Sequence, residues 1–246
     1  MPSLMSAGLV AVLAVAAVVA GPLLAAGVII VQVLFTLGGV RPSGAHEARS
    51  AAWLALVVAV AGSVWTVYEG TSGMRPVAVL LGPALLGAVA IQLLRHDGRP
   101  GLTGSLTLTV AACTLAVLPV AWIALREADG GVYAVGLGLL GVGTVALAEG
   151  VSLPVGVRRA LAVLAAGGLA AGLVLLVGPV AAEMPAVGAV VVATFAALTA
   201  VTALAAVDRI GVEAEIGNTA LVPVRISLPI VATAPVAYVL GRILVG

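Results

Sequence analysis

The chain has 246 residues, of which 63% are hydrophobic and 9% charged, with a mean hydropathy of +1.29. Soluble chains carry about 25% charged residues, so a soluble globular domain is excluded. The net charge of +1 excludes a global basic footprint, and no nucleic-acid partner is expected.

Apolar stretches of about 20 residues recur from end to end, the length that crosses a bilayer as a helix. Lipid offers the backbone no hydrogen bonds, and long Leu/Val/Ala runs without strand alternation satisfy their own as helices rather than as a barrel. The expected fold is all-α: a polytopic integral membrane bundle of about nine transmembrane helices, forming one domain over 1–246. Cys113 is the single cysteine and lies in an apolar segment, so neither an intramolecular disulfide nor a cysteine metal cluster is expected. The two histidines, His46 and His96, fall in polar linkers.

The first apolar run, Leu4 to Leu37, is too long for one crossing. Gly21-Pro22 in its middle is a turn signal, giving spans at 4–20 and 22–39 joined by a tight hairpin. No Arg or Lys precedes the run, so it lacks the positive region of a signal peptide. The polar linker Arg41–Arg49 leads to a third span at 51–69. Trp53, Trp65 and Tyr68 lie near its ends, where amphipathic rings favour the interface. Arg75-Pro76 opens a fourth span, 76–94, and Arg95–Pro100 is a second polar linker carrying His96 and Asp97. The fifth span, 103–125, is rich in Ser and Thr at its start and contains Pro119, which predicts a kink.

The sixth span, 132–149, is built on Gly136, Gly138, Gly141 and Gly143 and ends at Glu149. The seventh, 160–179, holds Gly168 and Gly172, and the eighth covers 185–207. Small residues of this kind let helix backbones approach in lipid, and packing is the expected role for them. A polar stretch, Asp208–Arg225, then precedes the ninth span, 226–244. It holds five of the chain's 21 charged side chains. Glu69 and Glu183 lie near span ends and mark the interface.

The arginines test this count. With nine spans, the N-terminus and every second loop share one side. That side collects Arg41, Arg49, Arg95, Arg99, Arg158, Arg159, Arg209 and Arg225, against Arg75, Arg126 and Arg242 on the other. The positive-inside rule then predicts a multi-pass protein of the cell (inner) membrane, with a cytoplasmic N-terminus and an external C-terminus.

The ends of spans six to nine on the arginine-rich side carry the candidate chemistry. Arg158, Arg159, Arg209 and Arg225 are candidates for binding a lipid headgroup or phosphate, because guanidinium forks match phosphate oxygens. Glu149, Asp208, Glu213 and Glu215 are candidates for holding a hard cation such as Mg²⁺. Glu149 stands out, since an ionisable residue at a span end facing a bundle points to function. The other reading is that lipid drives all charges into loops and topology sets the arginines.

The order of these features resembles the phosphatidate cytidylyltransferase (CDP-diacylglycerol synthase) family. The resemblance lies in the N-terminal hairpin, in the linker into a span opening with Thr103, Ser105, Thr107 and Thr109, and in Arg126 followed by Gly130-Gly131. Where that family has Asp-Thr-x-Ala-Tyr-x-x-Gly, this chain has Glu149–Gly156, keeping an acid and the last glycine. Where the family signature opens with Ser-x-x-Lys-Arg and closes with Asp-Arg-x-Asp, this chain has Asp208-Arg209 in place of the Lys-Arg and Arg225 in place of the final Arg. The His-Gly-Gly and paired aspartates of the signature are missing, and so is the Ser-Pro-Lys-Lys-Thr segment before the seventh span. The resemblance thus implies a degenerate, catalytically inactive relative that binds membrane lipids or serves as a partner subunit in envelope assembly. Mg²⁺ would be its cofactor only if a phosphate site survives. A small transporter or channel, and a purely structural membrane subunit, are the alternatives. Transport calls for ionisable groups near the bilayer midplane, and Gln32, Gln92 and Thr144 are the sparse polar residues there.

Overall fold

The computed structural model describes residues 2–40, 46–94, 102–177, 184–213 and 220–245. Among them there are ten helices and no strand. They are α1 (Pro2–Val19), α2 (Gly21–Val40), α3 (His46–Glu69), α4 (Arg75–Leu93), α5 (Leu102–Val117), α6 (Val120–Arg126), α7 (Gly131–Ala148), α8 (Val155–Leu176), α9 (Ala186–Glu213) and α10 (Val222–Val245). Eight helical segments are long and apolar enough to cross a membrane, with α5 and α6 counting as one, and α1 adds a shorter apolar helix. The fold is a polytopic all-α membrane bundle.

Proline and glycine mark the boundaries. Pro119 lacks a backbone donor, and at Leu118–Pro119 the α-helical hydrogen bonds give way to tighter three-residue ones before α6 resumes, while Pro119 keeps helical dihedrals. Gly130 adopts φ +62, a left-handed turn that glycine enters without penalty, and turns the chain from α6 into α7. Pro76 and Pro223 sit in the first turns of α4 and α10, where no intrahelical donor is needed.

Ala20 is the one non-helical residue between α1 and α2. The chain folds back there: a Cβ placed on Gly27 would come within 2.6 Å of Leu13 Cδ2, two positions equally far from Ala20. A helix leaves its last four carbonyls without intrahelical partners. One of these, Ala17 O, accepts a 2.7 Å bond from Arg126 Nε, while Arg126 Nη1 pairs with Glu127 at 3.0 Å. The hairpin is therefore fastened from α6.

Helix α7 is the hub, packing against α1, α6, α8, α9 and α10. Its glycines make this possible. A Cβ on Gly141 would stand 2.4 Å from Ala193 O of α9, and one on Gly138 would stand 2.8 Å from the Trp122 ring. Trp122 is fully buried and donates from Nε1 to Ile230 O of α10 at 3.1 Å. Gly168 and Gly172 differ from the packing role expected of them: nothing lies within 4 Å of a Cβ at either, and it is Gly167 that meets Thr194 of α9. The main core joins α1, α2, α6, α7, α8, α9 and α10, while Ala55, Val58, Ala59, Ala84, Cys113 and Ala116 form a smaller core in the α3–α4–α5 flank.

Contacts define the two ends. At one, a Cβ on Gly150 would lie 3.5 Å from Ser3 Oγ, and one on Gly38 would touch Pro223. At the other, Arg126 meets Ala17, Tyr238 donates from its hydroxyl to Ser72 O at 2.8 Å, and Arg242 reaches Ser72 Oγ at 3.3 Å. Among the described residues, these contacts put the starts of α1 and α10 with the ends of α2 and α7 at one end of the bundle, and the ends of α1, α6 and α10 with the α3–α4 turn at the other.

Candidate functional site

At the end that carries Ser3 and Gly150, four helices bring charged side chains together. Glu149 follows the last turn of α7, and Arg158 and Arg159 stand in the first two turns of α8. Asp208 lies near the end of α9, and Arg225 in the first turn of α10. A helix end is where lipid gives way to headgroups and charge is tolerated, so each helix can deliver a charge only there.

The five form a continuous chain of ion pairs. Arg158 Nη2 donates to Glu149 Oε2 at 2.7 Å, and Arg159 Nε donates to Glu149 Oε1 at 3.0 Å. Arg159 also reaches Asp208 Oδ2 through Nη2 at 2.6 Å, and Arg225 Nη2 donates to Asp208 Oδ1. Arg159 is the central link, with one guanidinium spanning both carboxylates. Three guanidiniums face two carboxylates, so the cluster keeps an excess positive charge. Both oxygens of Glu149 and both of Asp208 accept from arginine. Arg158 Nη1 also meets Val151 O at 3.4 Å, while the buried Arg158 Nε has no partner among the described residues.

Beside this chain lies a cavity of about 520 Å³ where α1, α7, α9 and α10 meet. That volume is in the range of small-molecule sites, about 300–1,000 Å³. Glu149, Arg225, Ser3 and Ser6 line its polar part, and Val142, Val145, Leu204 and Pro229 line its apolar part. Val142 precedes Glu149 by seven residues, so the apolar wall reaches about 10 Å deeper along α7. Ser6 is 7% exposed and lines the cavity, and its side chain makes no hydrogen bond among the described residues. A guanidinium carries five N–H donors, and Arg225's bond to Asp208 uses one, leaving donors for a guest. The arrangement suits a molecule with an anionic head and an apolar body.

Five of the eight charged residues singled out in the sequence meet here. Arg209 does not join them. It follows Asp208 directly on α9 but points about 100° away from it, and it is exposed. Glu213 lies in the last turn of α9, but its side chain is outside the described residues, as are Glu215, Glu183, His96, Asp97 and the linker residues 41–45 and 95–100. Among the described residues no group of three His, Cys, Asp or Glu gathers as metal ligands would. The contributions of Ser3 and Ser6 are absent from the sequence reading, because nothing local links the first turns of α1 to Glu149 some 140 positions later. No family model, curated protein or solved structure matches the chain.

Proposed function

We propose that the chain is a non-catalytic membrane protein that binds the phosphate headgroup of an anionic lipid at its arginine-rich end, as a lipid-binding or envelope-assembly subunit. The observation that carries this reading is Arg225, which lines a cavity with an apolar interior while spending one of its donors on Asp208. Phosphate would meet the spare guanidinium donors and the Ser6 hydroxyl, and an acyl segment would lie along Val142, Val145 and Leu204. Charge-assisted bonds from Arg are the strong ones for phosphate.

The non-catalytic part rests on the state of the acids. A cation approaching Glu149 or Asp208 would meet the positive charge of a guanidinium on every carboxylate oxygen. The resemblance to a degenerate phosphatidate cytidylyltransferase agrees with this, since the paired aspartates of that signature are missing from Asp208–Arg225. The positive-inside rule would put this end in the cytoplasm.

The test is lipid retention. Protein is released from nanodiscs of equal phosphatidylglycerol and phosphatidylcholine, and its bound lipid is read by native mass spectrometry. The proposal expects enrichment of the anionic lipid, lost in Arg225→Ala and little affected by millimolar inorganic phosphate. Equal retention of both lipids by wild type and variant refutes it. Displacement by inorganic phosphate alone would point to a free phosphate ligand. Formation of CDP-lipid from CTP, Mg²⁺ and phosphatidic acid would overturn the non-catalytic part.

A further inference from the structure

Arg225 belongs to two arrangements at once. It lines the cavity, and it donates to Asp208 Oδ1, a carboxylate whose other oxygen takes Arg159 Nη2 at 2.6 Å. Asp208 itself does not line that cavity. The acid therefore engages the guanidinium from outside the cavity, while a guest would engage it from within. A carboxylate and a phosphate use the same donors on an arginine in the same fork geometry.

Resting on the lipid-binding reading above, we propose that Asp208 is the affinity-setting residue of this site, an internal competitor whose carboxylate holds Arg225 back from an incoming phosphate. The arrangement of partners makes the competition one-sided. Arg159 stays bonded to Glu149 when Asp208 is released, since its Nε contact at 3.0 Å is independent of Nη2. Asp208 in turn keeps Arg159 when Arg225 leaves. Exchange of Arg225 from Asp208 to phosphate thus strands neither charge, and both partners of the broken pair stand about one-third exposed, where water can take up a freed donor or acceptor. A guest gains the arginine and gives back the energy of one partly exposed ion pair.

The consequence is a variant that binds better than the natural protein. Removing the carboxylate charge frees Arg225 without touching the cavity wall. Partly exposed pairs contribute modestly, so anionic-lipid affinity in Asp208→Asn should rise by about two- to five-fold. Binding is read as a titration of the purified full chain in neutral detergent with a fluorescent short-chain phosphatidylglycerol, in low and high salt. Asp208→Asn should bind more tightly than wild type, and Arg225→Ala should bind weakly whether or not Asp208 is present.

Because Asp208 also holds Arg159, the comparison is repeated as Arg159→Gln/Asp208→Asn against Arg159→Gln alone, where no guanidinium on α8 depends on the acid. Tighter binding in the double variant supports the proposal. Equal or weaker binding in both Asp208 comparisons, with Arg225→Ala still impaired, overturns it and leaves the lipid-binding reading standing. Unchanged binding in Arg225→Ala defeats that reading itself.

Discussion

Glu149 is where the ion-pair chain is most consequential for stability. Its carboxylate is 18% exposed and accepts from Arg158, 14% exposed, and Arg159, 12% exposed. Glu149→Ala removes the shared acceptor of both guanidiniums and leaves two cations side by side on α8. Charge-assisted bonds contribute about 1.5–3 kcal/mol each, and removing one partner of a buried pair costs about 3–5 kcal/mol. Arg159 retains Asp208, which limits the damage. An expected loss of about 3 kcal/mol follows, equivalent to a fall in Tm of about 6–12 °C for a chain of this size on soluble-domain scaling. Glu149→Gln keeps a carbonyl acceptor and should lose about half as much. Thermal unfolding in detergent, followed by circular dichroism, provides the measure, with a cycle of Glu149→Ala, Arg158→Ala and the double variant isolating the pair. A Tm change under about 2 °C, or a coupling under about 0.5 kcal/mol, would show that water already solvates these charges and that the chain does not bind the helices.

Two further predictions concern polar contacts elsewhere in the bundle. Arg126→Lys should not rescue the loss of Arg126 Nε from Ala17 O, because a lysine has no second nitrogen to keep the Glu127 pair; Arg126→Ala and Arg126→Lys should both lower stability by about 1–3 kcal/mol in the same unfolding assay. Gln32 is fully buried, its Oε1 accepting from Ser63 at 3.1 Å while Nε2 has no partner among the described residues. Ser63 also donates to Ala59 O at 3.1 Å, so Gln32→Leu leaves no new orphan and should be neutral or stabilising by about 1–3 kcal/mol; a loss of stability would mean that Nε2 has a partner of its own.

The membrane class and the helical fold could be read because lipid imposes them one residue at a time. Apolar runs set the helices, and Gly21-Pro22 marked the reversal. The residues of the candidate site were nameable for the same reason, since charge survives only at helix ends. Their pairing was not. That Arg159 bridges Glu149 and Asp208, or that Ser6 faces the cavity, depends on how α1, α8 and α9 pack around α7. That packing follows from close approaches such as Gly141 to Ala193 O, which leave no periodic trace. Gly168 and Gly172 teach the same lesson from the other direction: a small-residue pair at the right spacing faces outward, and the neighbouring Gly167 makes the contact.

The reversal at Ala20 bears on how the protein is made. A one-residue connection carries no polar segment between α1 and α2, so entry of the two helices into the bilayer as a unit is the expected order. The residue that fastens their junction, Arg126, is 109 positions downstream of Ala17. At ribosomal speeds of about 5–20 residues per second, the hairpin waits about 5–20 s before its clamp is synthesised. During that interval the Ala17 carbonyl is without the Arg126 donor that holds it in the folded bundle.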